Sequence, residues 1–414
     1  MRGSLRSNRD FVRLWIGQSI SQVGSQVTLL ALPLIAIRVL HAGAFELGVL
    51  AAAETAPFLL IGLPAGVWVD QWRRRSVLIV ADIGRALVLA TVPVAYAFDA
   101  LTMGHLFMVA VATGALTVFF DVAYQSYLPT LVSPDQLVEG NSRLELSRSA
   151  AQVAGPGLAG VLVQLVRGPM AIAVDSVSFG VSALFVARIR TPEPKPSDGG
   201  EAGATMGSRI AEGLRYVLRH PLLSRIAATT SLFNFFSAVG MAVFLLYAVR
   251  RLRIDPAVVG VIFSVGSLGF VLGSMIAGRT TRALGVGPAL AVAGAVQGAA
   301  FLLVPLAPER VAVAFFVAAF ILEAVAAPVY GITQVSLRQT ITPARMQGRT
   351  NATMRFLVWG ALPLGSIVGG VLGDVIGLRS TLWVAAVGTT LSVLPLLGRS
   401  LLGVRAMPEA QPDD

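Results

Sequence analysis

Twelve predominantly apolar stretches, each long enough to span about 30 Å of hydrocarbon, follow one another along this chain. They lie near residues 14–38, 46–68, 76–98, 104–127, 145–166, 169–188, 226–249, 257–278, 286–306, 311–332, 353–373 and 380–398. Only 13% of the 414 residues are charged, while 55% are apolar and the mean hydropathy is +0.75. So few charges cannot cover the surface of a water-soluble chain of this length. The surplus apolar surface must face lipid, which predicts an all-α integral membrane protein.

Where the charges fall sets the orientation. The net charge is +10, and 31 of the 32 basic residues are arginine. A basic balance is compatible with nucleic-acid binding, but no basic run here carries interleaved aromatics or a folded binding module. With the N-terminus inside, 24 basic residues fall on the cytoplasmic side, among them Arg73–Arg75, Arg143, Arg148, Arg188 and Arg190. Seven fall outside, including Arg38, Arg250, Arg251 and Arg253, and Arg85 lies within a span. That bias predicts twelve spans with both termini cytoplasmic. The first apolar stretch continues to about Leu40 without a charge before Arg38, too far for a cleaved signal sequence.

The segment TPEPKPSDGGEAGATMGS, rich in Pro, Gly and charge, reads as a flexible linker. Residues 191–220 are therefore expected to join a six-helix bundle at 1–190 to a second at 221–414. Within the linker, Ile210, Leu214, Val217 and Leu218 share one face of an amphipathic helix, expected along the membrane surface or as a plain linker helix.

The two halves repeat. Shifting the sequence by 212 places Ser19 on Ser231, Gln22 on Asn234, Ser25 on Ser237, Arg38 on Arg250, Gly48 on Gly260 and Gly66 on Gly278. A shift of 210 places Asn141 on Asn351, Gly155 on Gly365 and Gly160 on Gly370. Coincidence of Gly, Asn, Ser and Arg is much harder to reach by chance than coincidence of apolar residues. A displacement of six spans preserves orientation, so the repeats are parallel, an arrangement found in transporters with a substrate site between the halves.

Two motifs carry more than anchoring. GLPAGVWVDQWRRR, from Gly62 to Arg75, ends the second span and fills the loop after it. Gly62 and Gly66 permit close helix approach, and Asp70 can cap the next helix and pair with Arg74 or Arg75. AGPGLAG, from Ala154 to Gly160, places Pro156 in a membrane helix among small residues. The first stretch resembles the loop 2–3 signature of the major facilitator superfamily, with Arg73 where the family usually has Gly. The second resembles the antiporter motif of that superfamily's exporters, carried here by Gly155, Pro156 and Gly160, with Ala159 replacing a Gly. The opening NRDFVRLWIGQSISQVGS, the run ADIGRALVLA and the loop SYLPTLVSPDQLVEGN resemble the drug/proton antiporter-like branch that holds macrolide-efflux and enterobactin-exporter proteins. That resemblance implies the major facilitator fold, a monomer, proton antiport and small-molecule export by alternating access. Many members of the branch carry an acidic residue where Ser25 stands, so no proton site is carried over to the first helix.

Ionisable groups at membrane depth are costly and default to functional candidates. Glu54, Glu323 and Asp175 are the candidates for proton coupling. Asp82 and Arg85 are spaced to pair along one helix face, as are Glu145 and Arg148. With Asp121 and the loop residues Gly62, Gly66, Asp70, Arg74 and Arg75, these pairs form the expected gate. Gln18, Gln22, Ser25 and Gln26 make a polar stripe on the first helix, matched by Thr230, Asn234 and Ser237 on the seventh. Either they bond between helices or, with Glu54, they line a substrate cavity of mostly apolar character.

The expected function is secondary active export of small amphiphilic organic molecules, of the multidrug type. Siderophore export and lysophospholipid transport are the alternatives, since relatives of each kind share these motifs; a membrane enzyme or sensor is the remote one. There is no GxxxxGK[ST] loop for ATP, no cysteine, and no metal-like spacing among His41, His105 and His220. No cofactor or metal is implied; the expected partners are a small-molecule substrate, protons and the lipid bilayer, with no nucleic acid.

Overall fold

The computed structural model describes Leu5 and residues 8–133, 136–166, 168–193 and 206–408. Within these, the side chains of Leu63, Val67, Asp70, Val138, residues 206–210, Ala344 and Arg345 lie outside the described residues. By contacts the chain forms two units, Met1–Gly200 with Ile254–Ser264, and Glu201–Arg253 with Val265–Asp414.

The first unit holds helices Arg9–Arg38 (α1), Ala44–Leu60 (α2), Gly62–Gln71 (α3), Arg74–Ala97 (α4), Met103–Leu131 (α5), Leu137–Leu165 (α6) and Gly168–Ala187 (α7). Then come Met206–Arg219 (α8), Pro221–Leu246 (α9), Pro256–Leu284 (α10), Val286–Ala300 (α11), Leu303–Leu306 (α12), Ala312–Ile341 (α13), Ala344–Val375 (α14), Leu378–Leu391 (α15) and Arg399–Leu402 (α16). Every expected span falls on one of these helices, on a consecutive pair, or on a helix and the short helical turn that follows it, Tyr247–Arg251 after α9 and Leu394–Leu397 after α15. Among the described residues, ten helical segments are long and apolar enough to cross a membrane unaided. The remaining two spans are α2–α3, which is broken, and α6, whose first turns carry Glu139, Arg143, Glu145 and Arg148.

Three spans that read as continuous are interrupted, each about four residues before a proline. The α2–α3 break falls at Ile61 before Pro64, α11 stops at Ala300 before Pro305, and α15 stops at Leu391 before Pro395. A proline ring clashes with the carbonyl four residues back and offers it no N–H, so the ladder fails there. Pro33, Pro93 and Pro156 nevertheless sit in unbroken helices, as membrane helices tolerate when neighbours satisfy the freed groups.

The repeat is visible in how each unit packs. A Cβ on Gly155 of α6 would stand 2.4 Å from Gln26 of α1, and one on Gly365 of α14 would stand 3.0 Å from Ala238 of α9. These are equivalent pairs under the 210 and 212 shifts. The small residue at each crossing lets two backbones approach closely. The expected surface helix α8 docks on α14 instead of presenting one whole face outward. Val217 is fully buried and Leu218 is 56% exposed. A Cβ on Gly213 would meet Thr353 Oγ1 at 2.6 Å, and Glu212 pairs with Arg349 at 2.7 Å. Ile210 has its side chain outside the described residues.

Candidate functional site: buried charges in the first unit and polar pairs in the second

Two of the buried charges sit together on α4. Asp82 and Arg85 are 0% and 5% exposed, one turn apart, and Arg85 Nη2 donates to Asp82 Oδ1 at 2.5 Å. The guanidinium is held from both sides, 4.3 Å from the ring centre of Phe120 on α5 and 4.1 Å from that of Phe179 on α7. Such contacts favour a cation that has left water. Asp121 follows Phe120 on α5, and Asp175 lies about one turn before Phe179 on α7.

Asp175 is positioned by α1. Its Oδ2 accepts from Thr28 Oγ1 at 2.6 Å, and its Oδ1 accepts from Ser178 Oγ at 2.9 Å. The groove it occupies is made by Gly17, Ser21 and Gly24, and Thr28 closes it. A Cβ on Gly17 would lie 3.2 Å from Phe185, and one on Gly24 would lie 2.2 Å from Ser178 Oγ. These residues recur at alternating steps of four and three, the spacing that keeps one seam of a helix facing a partner. That small-residue seam is the signal through which the α1–α7 crossing could have been found in the sequence, where the glutamines drew attention instead.

The glutamine stripe divides. Gln18 is buried and Gln26 packs into the crevice at Gly155, while Gln22 and Ser25 are half-buried and the Ser25 hydroxyl donates to Ser21 O at 2.9 Å. In the second unit Thr230 Oγ1 meets the Tyr330 hydroxyl at 2.8 Å and Asn234 Nδ2 donates to Val358 O at 2.9 Å. Ser237 is half-buried. Thr230 and Asn234 therefore bond within their own unit, as the interhelical alternative expects.

Glu54 on α2 is half-buried, and its side chain meets no donor or cation among the described residues. Its backbone carbonyl lies where a Cβ on Gly114 of α5 would come within 2.7 Å, so α2 and α5 touch at this level. Glu323 on α13 does have a partner, Gln297 Nε2 of α11, which donates to Oε1 at 3.1 Å. Glu145 and Arg148 pair at 3.1 Å with more than half of each side chain exposed.

The loop motif works through contacts distant in sequence. The Glu193 carboxylate accepts from the first amides of α4, Arg74 N at 2.6 Å and Arg75 N at 3.2 Å, and so caps that helix from outside. In return, the Arg75 guanidinium donates to Val186 O at 3.3 Å and Ala187 O at 2.5 Å at the carboxyl end of α7. Asp10 of α1 accepts from Arg190 N at 3.0 Å, Thr191 N at 2.8 Å and Arg13 Nη1 at 2.7 Å. Residues 191–193, expected to open a flexible linker, are strapped with Arg190 to two helices. Among the described residues, nothing lies within 4 Å of a Cβ at Gly62 or Gly66. Pro156 and Gly160 meet the first turns of α10. A Cβ on Gly160 would come within 2.7 Å of Pro256 O, and one on Gly260 within 2.3 Å of Pro156 O.

Apolar spans in two repeated sets of six, with charged groups held at span depth, define a polytopic membrane transporter. Residues 4–410 match the transmembrane secretion effector family, and the chain belongs to that family, a branch of the major facilitator superfamily. It is similar to the multidrug efflux pump Tap of Mycolicibacterium fortuitum, at 27% identity over 93% of this chain and 91% of that protein. It is also similar to macrolide efflux protein A of Streptococcus pyogenes, at 20% identity over 94% of each chain. The fold matches an inward-facing bacterial homologue of the iron transporter ferroportin, with a TM-score of 0.77 at 16% identity over 95% of this chain and 98% of that one. The nucleoside transporter NupG matches with a TM-score of 0.74 at 11% identity over 95% and 98%. The chain is a multi-pass membrane transporter of small molecules, not an enzyme.

Proposed function

We propose that this protein is a secondary active exporter of small amphiphilic organic molecules, driven by proton antiport through alternating access in the bacterial inner membrane. Both termini are cytoplasmic in this reading, and the working unit is a monomer. Efflux is favoured by the names of two relatives that align along nearly its whole length, a multidrug pump and a macrolide efflux protein.

The observation that carries proton coupling is Glu54. A carboxyl within a span that meets neither donor nor cation among the described residues costs free energy as an anion. Taking up a proton removes that cost, and giving it up links the proton to a change of access. Asp175 differs because Thr28 and Ser178 already satisfy it, and Glu323 because Gln297 does. Asp82 with Arg85 belongs to the gate in this reading. So do Asp121, Glu145, Arg148 and the loop residues Gly62, Gly66, Asp70, Arg74 and Arg75.

The test is transport in proteoliposomes with an imposed pH gradient, offering drugs, siderophores and lysolipids in turn. Gradient-driven uptake of an amphiphilic drug into inverted vesicles, lost in Glu54→Gln while gradient-free counterflow persists, supports the assignment. Undiminished gradient-driven transport by Glu54→Gln removes Glu54 from the role, and transport insensitive to the gradient removes proton coupling itself.

A further inference from the structure

A cavity of about 810 Å³ opens where α1, α4 and α7 end, lined by Arg13, Arg73, Arg75, Arg188, Arg190 and Glu193 among others. Five guanidiniums face one carboxylate, and that carboxylate is spent on the α4 amides. The neighbouring Asp10 is spent on Arg13 and on the backbone at 190–191. Arg75 is engaged with Val186 and Ala187, and Arg13 with Asp10 and Arg188 O. The guanidiniums of Arg73, Arg188 and Arg190 have no partner among the described residues, and all three residues are exposed.

The surplus is a built feature. Glu193 and Asp10 fix the backbone of residues 190–193, which sets Arg188 and Arg190 on the same wall as Arg73. Arginines presented as planar forks match the oxygens of a phosphate or phosphodiester. The cavity is within the range that takes a whole organic group, larger than a lone phosphate needs. Its walls are the ends of three membrane spans, the depth at which lipid headgroups lie, and basic pockets at such ends recognise anionic headgroups.

We infer that this cavity binds the phosphodiester headgroup of an anionic phospholipid, with Arg73, Arg188 and Arg190 as the recognising groups. The site is independent of the substrate and of the coupling ion, so its failure and that of the export reading are separate results.

The test counts lipid adducts on the purified full-length protein by native mass spectrometry, offering dioleoyl-phosphatidylglycerol and dioleoyl-phosphatidylcholine in equal amounts. Wild type should retain phosphatidylglycerol preferentially. R73Q/R188Q/R190Q should lose that preference by at least about tenfold, since each basic group near a headgroup layer contributes appreciably. R73K/R188K/R190K, which keeps charge without the fork, should fall between. R253Q/R310Q, which removes charge elsewhere, should behave as wild type. A melting temperature within a few degrees of wild type shows that the triple variant is folded; if it is not, single variants Arg73→Gln and Arg188→Gln are read instead. Equal retention of the two lipids by wild type, or equal loss in R253Q/R310Q, overturns the inference. Displacement of phosphatidylglycerol by millimolar inorganic phosphate assigns the site to the free anion and overturns the lipid as its occupant.

Discussion

Gly24 on α1 and Asp175 on α7 meet so closely that a methyl group on Gly24 would stand 2.4 Å from Asp175 Oδ1. The glycine makes room for a carboxyl and for the two hydroxyls that hold it. Gly24→Ala should therefore part the two helices at about 1–3 kcal/mol, a fall of several degrees in the melting temperature of the purified protein. Gly66→Ala is the contrast, because among the described residues nothing lies within 4 Å of a Cβ there. It should leave the melting temperature unchanged or raise it slightly, since alanine is the better helix former by about 0.5–1 kcal/mol. Equal effects at the two glycines would contradict the crossing.

Asp82 and Arg85 should show strong coupling. Asp82→Asn removes the carboxylate hydrogen-bonded to a buried guanidinium, and breaking such a pair typically costs about 3–5 kcal/mol. Removing both charges, in Asp82→Asn/Arg85→Gln, should recover part of that loss. A double-mutant cycle on thermal unfolding reads the coupling directly, and additive losses would show that the two do not form a pair.

Glu193 caps α4 although 119 residues separate it from Arg74. Glu193→Ala should cost about 1 kcal/mol, the usual range for a lost cap. Hydrogen exchange in the first turn of α4 should rise with it, while the α4 interior near Asp82 and Arg85 stays protected. Unchanged exchange at residues 74–77 would remove the cap.

His220 predicts a pH dependence outside the spans. Its Nδ1 accepts from Leu222 N at 3.3 Å and Leu223 N at 3.4 Å at the start of α9. Only an unprotonated Nδ1 can accept, and burial lowers the His220 pKa below its ordinary 6.5. The folded state thus binds this proton less readily than the unfolded state. The cap contributes fully above pH 6.5 and is lost as the pH falls through the lowered folded value. Melting temperatures between pH 7.5 and pH 5 should show that decline in wild type and a shallower one in His220→Asn, whose side-chain oxygen caps without titrating. Identical profiles would place the pH dependence elsewhere.

The spans and their repetition were legible because both are properties of residue type at fixed spacing. Gly155 and Gly365 coincide in sequence and meet equivalent residues, Gln26 and Ala238, in space. Pairs one turn apart, Asp82–Arg85 and Glu145–Arg148, were legible for the same reason. What stayed hidden joins residues far apart in the chain. Nothing in TPEPKPSDGG distinguishes Glu193 as the cap of α4, and nothing around Asp10 points to Arg190 and Thr191, 180 and 181 positions away. Gln297 is likewise invisible as the partner of Glu323. Polar bonds between helices depend on which faces turn towards each other, and hydropathy carries almost none of that information.

The exchange between Arg75 and Glu193 has a mechanical consequence. Glu193, at the edge of the linker, closes the amino end of α4, and Arg75 closes the carboxyl end of α7. A pull along the linker would reach the first unit at these helix ends before it reached any helix interior. The joint would yield by releasing two short sets of hydrogen bonds, leaving the span interiors packed. Residues 190–193 then act as a strain relief, setting how much of a tug on the chain is passed to the helices and how much is taken up at the clasp.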